Sequence, residues 1–125
     1  MLRSRDSVVP EDFAISGPHQ HGPVTLLVLS GRLDGKAAQD LQQRCAEIRN
    51  LGYAHVALDL AQITFLASSG LGVFLAETEA CKDAGGALYL VAVSPVVAAV
   101  IKLLNVDRFL SIVPSVEALL SSISS

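Results

Sequence analysis

The stretch Val24-Thr25-Leu26-Leu27-Val28-Leu29-Ser30-Gly31-Arg32-Leu33-Asp34 joins an apolar run to the expected start of a helix. Residues 24–30 are rich in Val and Leu and are bounded by turn residues, a pattern typical of a strand buried on both faces. The carboxylate of Asp34 can accept from the free N–H groups of a first helical turn. The stretch therefore predicts a strand followed by a helix that begins at Asp34.

Similar strand and helix signals alternate along the rest of the chain. Apolar residues at helical spacing continue the first helix to Arg49, and Ser94-Pro95 is a strong helix start. A Gly- and Pro-rich segment, residues 17–23, predicts a loop. We expect strands at 13–16, 24–30, 56–60, 87–93 and 109–113, and further helices at 69–84, 96–104 and from 114 onwards. This alternation is typical of a mainly parallel sheet covered by helices.

Length and composition limit the classes of protein to consider. The chain has 125 residues, of which 51% are hydrophobic and 17% charged, with a mean hydropathy of +0.51 and a net charge of −3. These values indicate one folded domain, expected at 12–125, rather than a disordered chain. The sequence has no basic patch of the kind that would indicate a nucleic-acid partner. We expect residues 1–11 to form a loose polar leader.

The compartment also has sequence signals. The longest apolar segment, residues 88–101, contains Ser94-Pro95 and is shorter than the ~20 residues of a membrane span. The N-terminus has no apolar signal region. Cys45 and Cys81 lie in helical segments among apolar neighbours, which predicts buried free thiols in a reducing cytoplasm.

Few residues suggest catalysis or metal binding. His19 and His21 lie in the predicted loop without an acidic or Cys cluster to complete a metal site, so we interpret them as ordinary loop histidines. His55 begins a strand, and Asp59 is expected to end one as a turn or capping carboxylate. The chain has neither a dinucleotide fingerprint, nor a Walker A sequence, nor a GxSxG element around Ser68. We therefore expect a protein without catalytic residues, metal or cofactor, and consider a small α/β enzyme the least favoured alternative.

The segment Ile63-Thr64-Phe65-Leu66-Ala67-Ser68-Ser69-Gly70-Leu71-Gly72-Val73-Phe74-Leu75 places two hydroxyl groups at the start of the second helix. A helix N-terminus carries free N–H groups and a partial positive charge, so it stabilises an added phosphate. A plainer interpretation is that Ser68 is the N-cap of this helix. The two roles are compatible.

The second helix also has an unusual outward face. At 100° per residue its core face collects Leu71, Phe74 and Cys81, whereas the opposite face is small and mostly apolar. We interpret this stripe as a docking surface for a protein partner beside Ser68. A neutral, Ala-rich helix surface of good propensity is the alternative. The stripe comprises Ser69, Gly72, Val73, Ala76 and Ala80.

These residues resemble a known family. Ser68-Ser69-Gly70-Leu71-Gly72, preceded by an apolar strand and loop, is similar to the phosphorylation motif of STAS domains, especially bacterial anti-sigma-factor antagonists. Gly31-Arg32-Leu33-Asp34 resembles that family's G-x-L-D element. Asp59-Leu60, Gly85-Gly86 and Ser94-Pro95 fall at matching intervals, and the resemblance covers roughly residues 12–123.

The resemblance implies a single STAS-like domain with a four- to five-stranded mixed sheet and about four helices, packed mostly on one side. It implies a cytoplasmic bacterial protein that binds an anti-sigma factor, itself a serine kinase, when unphosphorylated. The kinase would phosphorylate Ser68, with Ser69 the second choice, and a serine phosphatase would reverse the change. Oligomeric state stays open between monomer and dimer. We expect partner contacts at Asp34, Ser69, Gly70, Gly72, Val73 and Ala76.

One position departs from the family's pattern. The family often has Asp directly before the serine pair, where this chain has Ala67. The change removes a carboxylate that a kinase could read, but it also removes a like charge beside a phosphate, and the sequence leaves both consequences open. A STAS module acting as a signalling scaffold, or as a subunit of a lipid-transport complex, is the alternative function.

Overall fold

The structure, a computed structural model, describes residues 12–124. After an initial antiparallel hairpin, the chain alternates between strands and helices. The strands are β1 (Ala14–His21), β2 (Val24–Leu33), β3 (His55–Leu66), β4 (Ala87–Val91) and β5 (Ser111–Val113), and the helices are α1 (Gly35–Asn50), α2 (Ser68–Asp83), α3 (Pro95–Leu104) and α4 (Val116–Ser124). A short 3-10 helix, Asp107–Phe109, precedes β5.

The five strands form one mixed sheet in the order β1-β2-β3-β4-β5. β1 is antiparallel to β2, and the other three neighbouring pairs are parallel. The expected mixed, mainly parallel sheet is confirmed, with five strands. All parallel strands therefore end at the same edge of the sheet, here called the carboxyl edge.

The helices cover the two sheet faces unequally. Alternate residues of β2, β3 and β4 point into a large cluster with α1, α2 and α3, whose members include Leu27, Leu58 and Phe74, all 0% exposed. A smaller cluster on the opposite face packs against α4 around Leu119. The prediction that helices pack mostly on one side is confirmed. This packing fixes the position of α2 against the sheet.

Local signals explain where three helices begin. The Asp34 carboxylate accepts from the Ala37 amide at 3.0 Å, as predicted for the N-cap of α1. The Ser94 hydroxyl accepts from Val97 N at 3.4 Å and starts α3. A second hydroxyl, that of Ser115, accepts from the amide of Ala118 at 3.0 Å before α4. These caps satisfy donors that have no partner inside the helix.

The N-terminal loop prediction is wrong. β1 continues through residues 17–21 and pairs with β2, with a register irregularity between Ser16 and His19. Such a bulge takes up extra backbone, and an edge strand tolerates Pro18 because the missing N–H is not needed by a second neighbour. His19 and His21 are exposed strand residues, and His19 Nε2 lies 3.1 Å from Ser16 Oγ.

β3 is also longer than predicted. It extends beyond residue 60 to Leu66, because the second half of β2 pairs with residues 62–66 across two register irregularities. Asp59 therefore lies within a strand rather than at its end, and its carboxylate accepts from Ala61 N at 3.0 Å. The predicted strand at 109–113 is shorter, because Phe109 belongs to the 3-10 helix. The leader predicted at residues 1–11 lies outside the described residues.

Among residues 12–124, no helix is both long and apolar enough to cross a bilayer. In the same part of the chain, no three His, Cys, Asp or Glu side chains are grouped so that they could hold a metal ion. Both cysteines are free and buried, as predicted.

Candidate functional site

The candidate site lies at the carboxyl edge, where β2 and β3 end side by side. Leu33 and Leu66 are register partners, and Ala67 N donates to Leu33 O at 3.0 Å. α1 and α2 begin within two residues of these strand ends, which brings Asp34 and Ser68 to the same edge. The carboxyl ends of parallel strands are where open α/β sheets commonly place functional groups.

The serine pair is available at this edge. Ser68 and Ser69 are both exposed and form the first two residues of α2. The expectation that Ser68 caps the helix is wrong: Ala67 is the N-cap, and no side chain accepts from the first turn. The Ser68 hydroxyl is therefore not engaged in a cap, and the helix N-terminus keeps its partial positive charge beside it.

The beginnings of α1 and α2 are close neighbours. A Cβ placed on Gly35 would lie 3.8 Å from Ser69 Oγ. Asp34, directly before Gly35, is exposed while its carboxylate caps α1. A partner covering Ser69 would therefore also meet the start of α1, which supports including Asp34 in the docking surface.

Gly70 holds the start of α2 against the sheet. It is buried, and an added Cβ would lie 2.8 Å from Leu66 Cδ1, 2.9 Å from Leu33 Cγ and 3.1 Å from Leu33 O. Only a residue without a side chain allows this close approach. Gly70 faces inward and packs against the sheet, so its expected contact with a partner stays a prediction that this burial does not favour.

The outward face of α2 is narrower than predicted. Gly72 and Ala76 are exposed, and Ala80 is half-buried. Val73 is only 7% exposed and belongs to the large core cluster, so its predicted outward position is wrong, and its expected contact with a partner stays a prediction that this burial does not favour. The exposed surface beside Ser68, here called the α2 stripe, consists of Ser69, Gly72 and Ala76.

Val73 is buried because of a contact between α2 and α1 that helical periodicity does not reveal. Glu77 is 2% exposed and forms an ion pair with Arg49 near the end of α1. Val73 lies four residues before Glu77 and therefore on the same flank of α2. α2 thus buries one side against the sheet and a second side against α1. A helix pattern with one apolar face does not predict this second buried flank.

Two further contacts shape the carboxyl edge. The Arg32 guanidinium lies 4.0 Å from the centre of the Phe65 ring, a cation–π geometry that joins the last residues of β2 and β3. Ser94 Oγ donates to Ile63 O at 2.8 Å and ties the start of α3 to the extended part of β3. The sequence predicted the Ser94 cap, but not this second bond, since it depends on the unpredicted extension of β3.

The other residues considered for chemistry lie away from this edge. His55, at the start of β3, stacks on Tyr89 with ring centres 6.4 Å apart. His19 and His21 lie on the exposed edge strand β1. Burial raises the pKa of the Cys45 thiol to about 12, with Cys81 contributing, which disfavours the reactive thiolate. Beside the Arg32–Phe65 pair, the carboxyl edge carries hydroxyls, the Asp34 carboxylate and small residues, a composition that suits modification and protein contact.

Comparison with known proteins agrees with the fold. A family model described as the STAS domain matches residues 18–119. A crystal structure of an anti-sigma factor antagonist from Mycobacterium paratuberculosis is 23% identical with a TM-score of 0.81, covering 94% of this chain and 98% of that chain. The Bacillus cell fate determinant SpoIIAA in its phosphorylated form is 18% identical with a TM-score of 0.65, covering 86% and 96%.

A third similar structure is much larger. The murine anion transporter Slc26a9 in its inward-facing state is 16% identical with a TM-score of 0.68, and the match covers 86% of this chain but 19% of that chain. At these identities, the solved structures support the fold alone.

Proposed function

The chain belongs to the STAS domain family, and from this premise we propose that it is an anti-sigma-factor antagonist controlled by phosphorylation of Ser68. In its unphosphorylated state it binds an anti-sigma factor that is also a serine kinase, and this binding releases a sigma factor. A serine phosphatase restores the binding state. The protein is a cytoplasmic bacterial ligand and kinase substrate rather than an enzyme.

The observation that carries the proposal is the placement of Ser68. It is exposed, it is the first residue of α2, and it directly precedes the α2 stripe. A phosphate here meets the positive end of a helix whose first turn has no side-chain cap. The similarity of this fold to that of phosphorylated SpoIIAA supports the proposal at the level of the fold.

Partner control follows from the size and charge of the phosphate. The small side chains at Gly72 and Ala76 allow another backbone to approach closely when a partner docks there. Phosphate adds roughly −1.5 to −2 charges at pH 7 together with a hydration shell. A coupling of about 3 kcal/mol would weaken partner binding ~100-fold. No rearrangement of the protein is needed.

Ala67 sets how the phosphate is accommodated. The N-cap position of α2 carries no carboxylate, whereas the N-cap of the neighbouring helix α1 is Asp34. Loss of a like charge from the position before Ser68 favours the phosphorylated state. The kinase must then recognise the serine from the shape of the edge rather than from an acidic residue at 67.

A STAS module that serves as a scaffold or a transport subunit is the second candidate. The likeness to part of the anion transporter Slc26a9 favours keeping it, since that protein holds this fold within a much longer chain. This candidate does not require a kinase acting on Ser68, so phosphorylation distinguishes the two.

Phosphate mapping tests the proposal. The full chain is incubated with the anti-sigma kinase from its own genome and ATP, which transfers its γ-phosphoryl group to the serine Oγ and leaves as ADP. We expect one added phosphate, located on Ser68 by peptide mass spectrometry. Ser69→Ala should retain it and Ser68→Ala should lose it. A phosphate located elsewhere, or none with an active kinase, contradicts the proposal.

A further inference from the structure

Within residues 12–124, one charged residue is buried, and it lies in the helix that presents Ser68. Glu77 is 2% exposed, and its carboxylate accepts from Arg49 in an ion pair with the last turn of α1. Burying a carboxylate costs free energy, and apolar side chains of similar volume often stabilise a protein as much as a buried ion pair does. Stability alone therefore does not explain why this position carries a charge.

The carboxylate lies within the buried side of α2, not at its margin. At 100° per residue, Val73, Glu77 and Cys81 follow one another about 40° apart around the helix axis. All three are buried, and Phe74 and Leu71 continue the buried side beyond Cys81. Glu77 thus has buried neighbours on both flanks, at a position where an amphipathic helix would carry an apolar side chain.

The large apolar side chains of α2 favour a different rotation of the helix. Leu71, Phe74 and Leu75 lie within about 100° of one another around the axis, yet Leu75 is only half-buried. A rotation that buried these three equally would turn Val73 outward and bring Glu77 to the margin of the buried side. Apolar periodicity therefore does not account for the rotation that the structure shows.

We infer that Arg49 and Glu77 are positioning residues that set the rotation of α2 and thereby decide which residues form the α2 stripe. Arg49 belongs to α1, which is anchored in the core by Cys45 and Ile48, so the cation draws the Glu77 carboxylate to a fixed place beside α1. Gly70 holds the beginning of the same helix against the sheet. Two contacts, one in the first turn and one in the third, thus define the rotation.

The inference goes beyond the proposed function and does not depend on it, because the rotation of α2 is a property of the free chain. Buried polar pairs can specify one arrangement among several that apolar packing would allow. In this rotation Gly72 and Ala76 face outward and Val73 faces inward. The ion pair would therefore control what a partner meets on α2 without touching the partner.

Thiol alkylation of the folded full chain tests the rotation. Val73→Cys and Thr78→Cys place reporters on the two flanks of the buried side, about 140° apart around the axis. Cys45 and Cys81 are both 0% exposed, and the chain without a reporter gives their background rate. When Glu77→Gln is added, we expect Val73→Cys to react about tenfold faster and Thr78→Cys about threefold slower. The opposite signs are the signature of a rotation.

Further variants separate rotation from loss of stability. Arg49→Gln should give the same opposite changes, whereas Arg49→Lys keeps the charge and should give none. Glu79→Gln is the matched control, because it removes a carboxylate from the exposed side of α2. Faster alkylation of both reporters would overturn the inference, since loss of stability opens both flanks. So would unchanged rates in folded Glu77→Gln. Failure of both glutamine variants to fold, judged by urea denaturation, would overturn it as well, because the pair would then be needed for folding itself.

Discussion

Gly70 and Gly72 are two residues apart in α2 and have opposite surroundings. A Cβ on Gly70 would meet Leu66 and Leu33, whereas a Cβ on Gly72 would meet nothing within 4 Å. Sequence alone treats both as part of one Ser-Ser-Gly-Leu-Gly motif. The structure divides the motif into a packing glycine and a surface glycine.

Alanine substitution should separate these two roles. Gly70→Ala forces the leucines to shift, and we expect the free energy of unfolding to fall by about 1–3 kcal/mol. Gly72→Ala should raise it by up to ~1 kcal/mol, since alanine has the higher helix propensity and the position is open. Urea denaturation of both variants checks this. Equal stability changes would contradict the different packing of the two positions.

The helix that presents Ser68 and the proposed docking surface is α2. The sequence predicted its bounds and its core face, but not its full buried surface. Helical periodicity alone places Val73 outward, because it assumes that the helix buries a single apolar face. Packing of α2 between the sheet and α1 buries a second flank, on which Glu77 meets Arg49. Such a contact joins residues far apart in sequence, so local patterns do not reveal it.

Ala76 tests the α2 stripe without disturbing this packing. Ala76→Glu adds a charged side chain on the exposed face, and we expect binding of the partner to weaken at least tenfold. Because the position is exposed, the free energy of unfolding should stay within about 0.5 kcal/mol. Isothermal titration calorimetry and urea denaturation measure the two effects, and Ala76→Ser is the conservative control.

Val73→Glu provides the contrasting variant, because it changes a buried residue of the same helix. It places an unpaired charge in the core and should destabilise the protein by several kcal/mol, whatever its effect on the partner. If Ala76→Glu bound normally while folding normally, the α2 stripe would not be the docking surface.

At the scale of the molecule, local signals predicted the order of elements and the caps at Asp34 and Ser94. They failed where pairing between strands decides the outcome. β2 draws residues 17–21 into β1 despite Gly17 and Pro18, and it extends β3 to Leu66. The candidate site was predicted in part: the exposed serine pair is where the motif indicated, whereas the orientations of Gly70 and Val73 depend on packing.

Burial of a thiol makes the stability of the whole molecule sensitive to high pH. The pKa of Cys45 rises from 9.0 to about 12, chiefly through desolvation. The unfolded chain ionises this thiol near its ordinary value, so stability present below pH ~9 is lost as the pH rises towards 12. Urea denaturation across this range should show a smaller pH slope for Cys45→Ala than for the natural protein. Identical slopes would contradict the burial of this thiol.

The central claim is that one phosphate on Ser68 controls partner binding. Its most direct test is the dissociation constant of the anti-sigma factor, measured by calorimetry for the unphosphorylated protein and for protein phosphorylated only on Ser68. Ser69→Ala, treated identically, controls for modification of the second serine. We expect binding to be ~100-fold weaker after phosphorylation, for a coupling of about 3 kcal/mol. Equal dissociation constants for the two forms would contradict it.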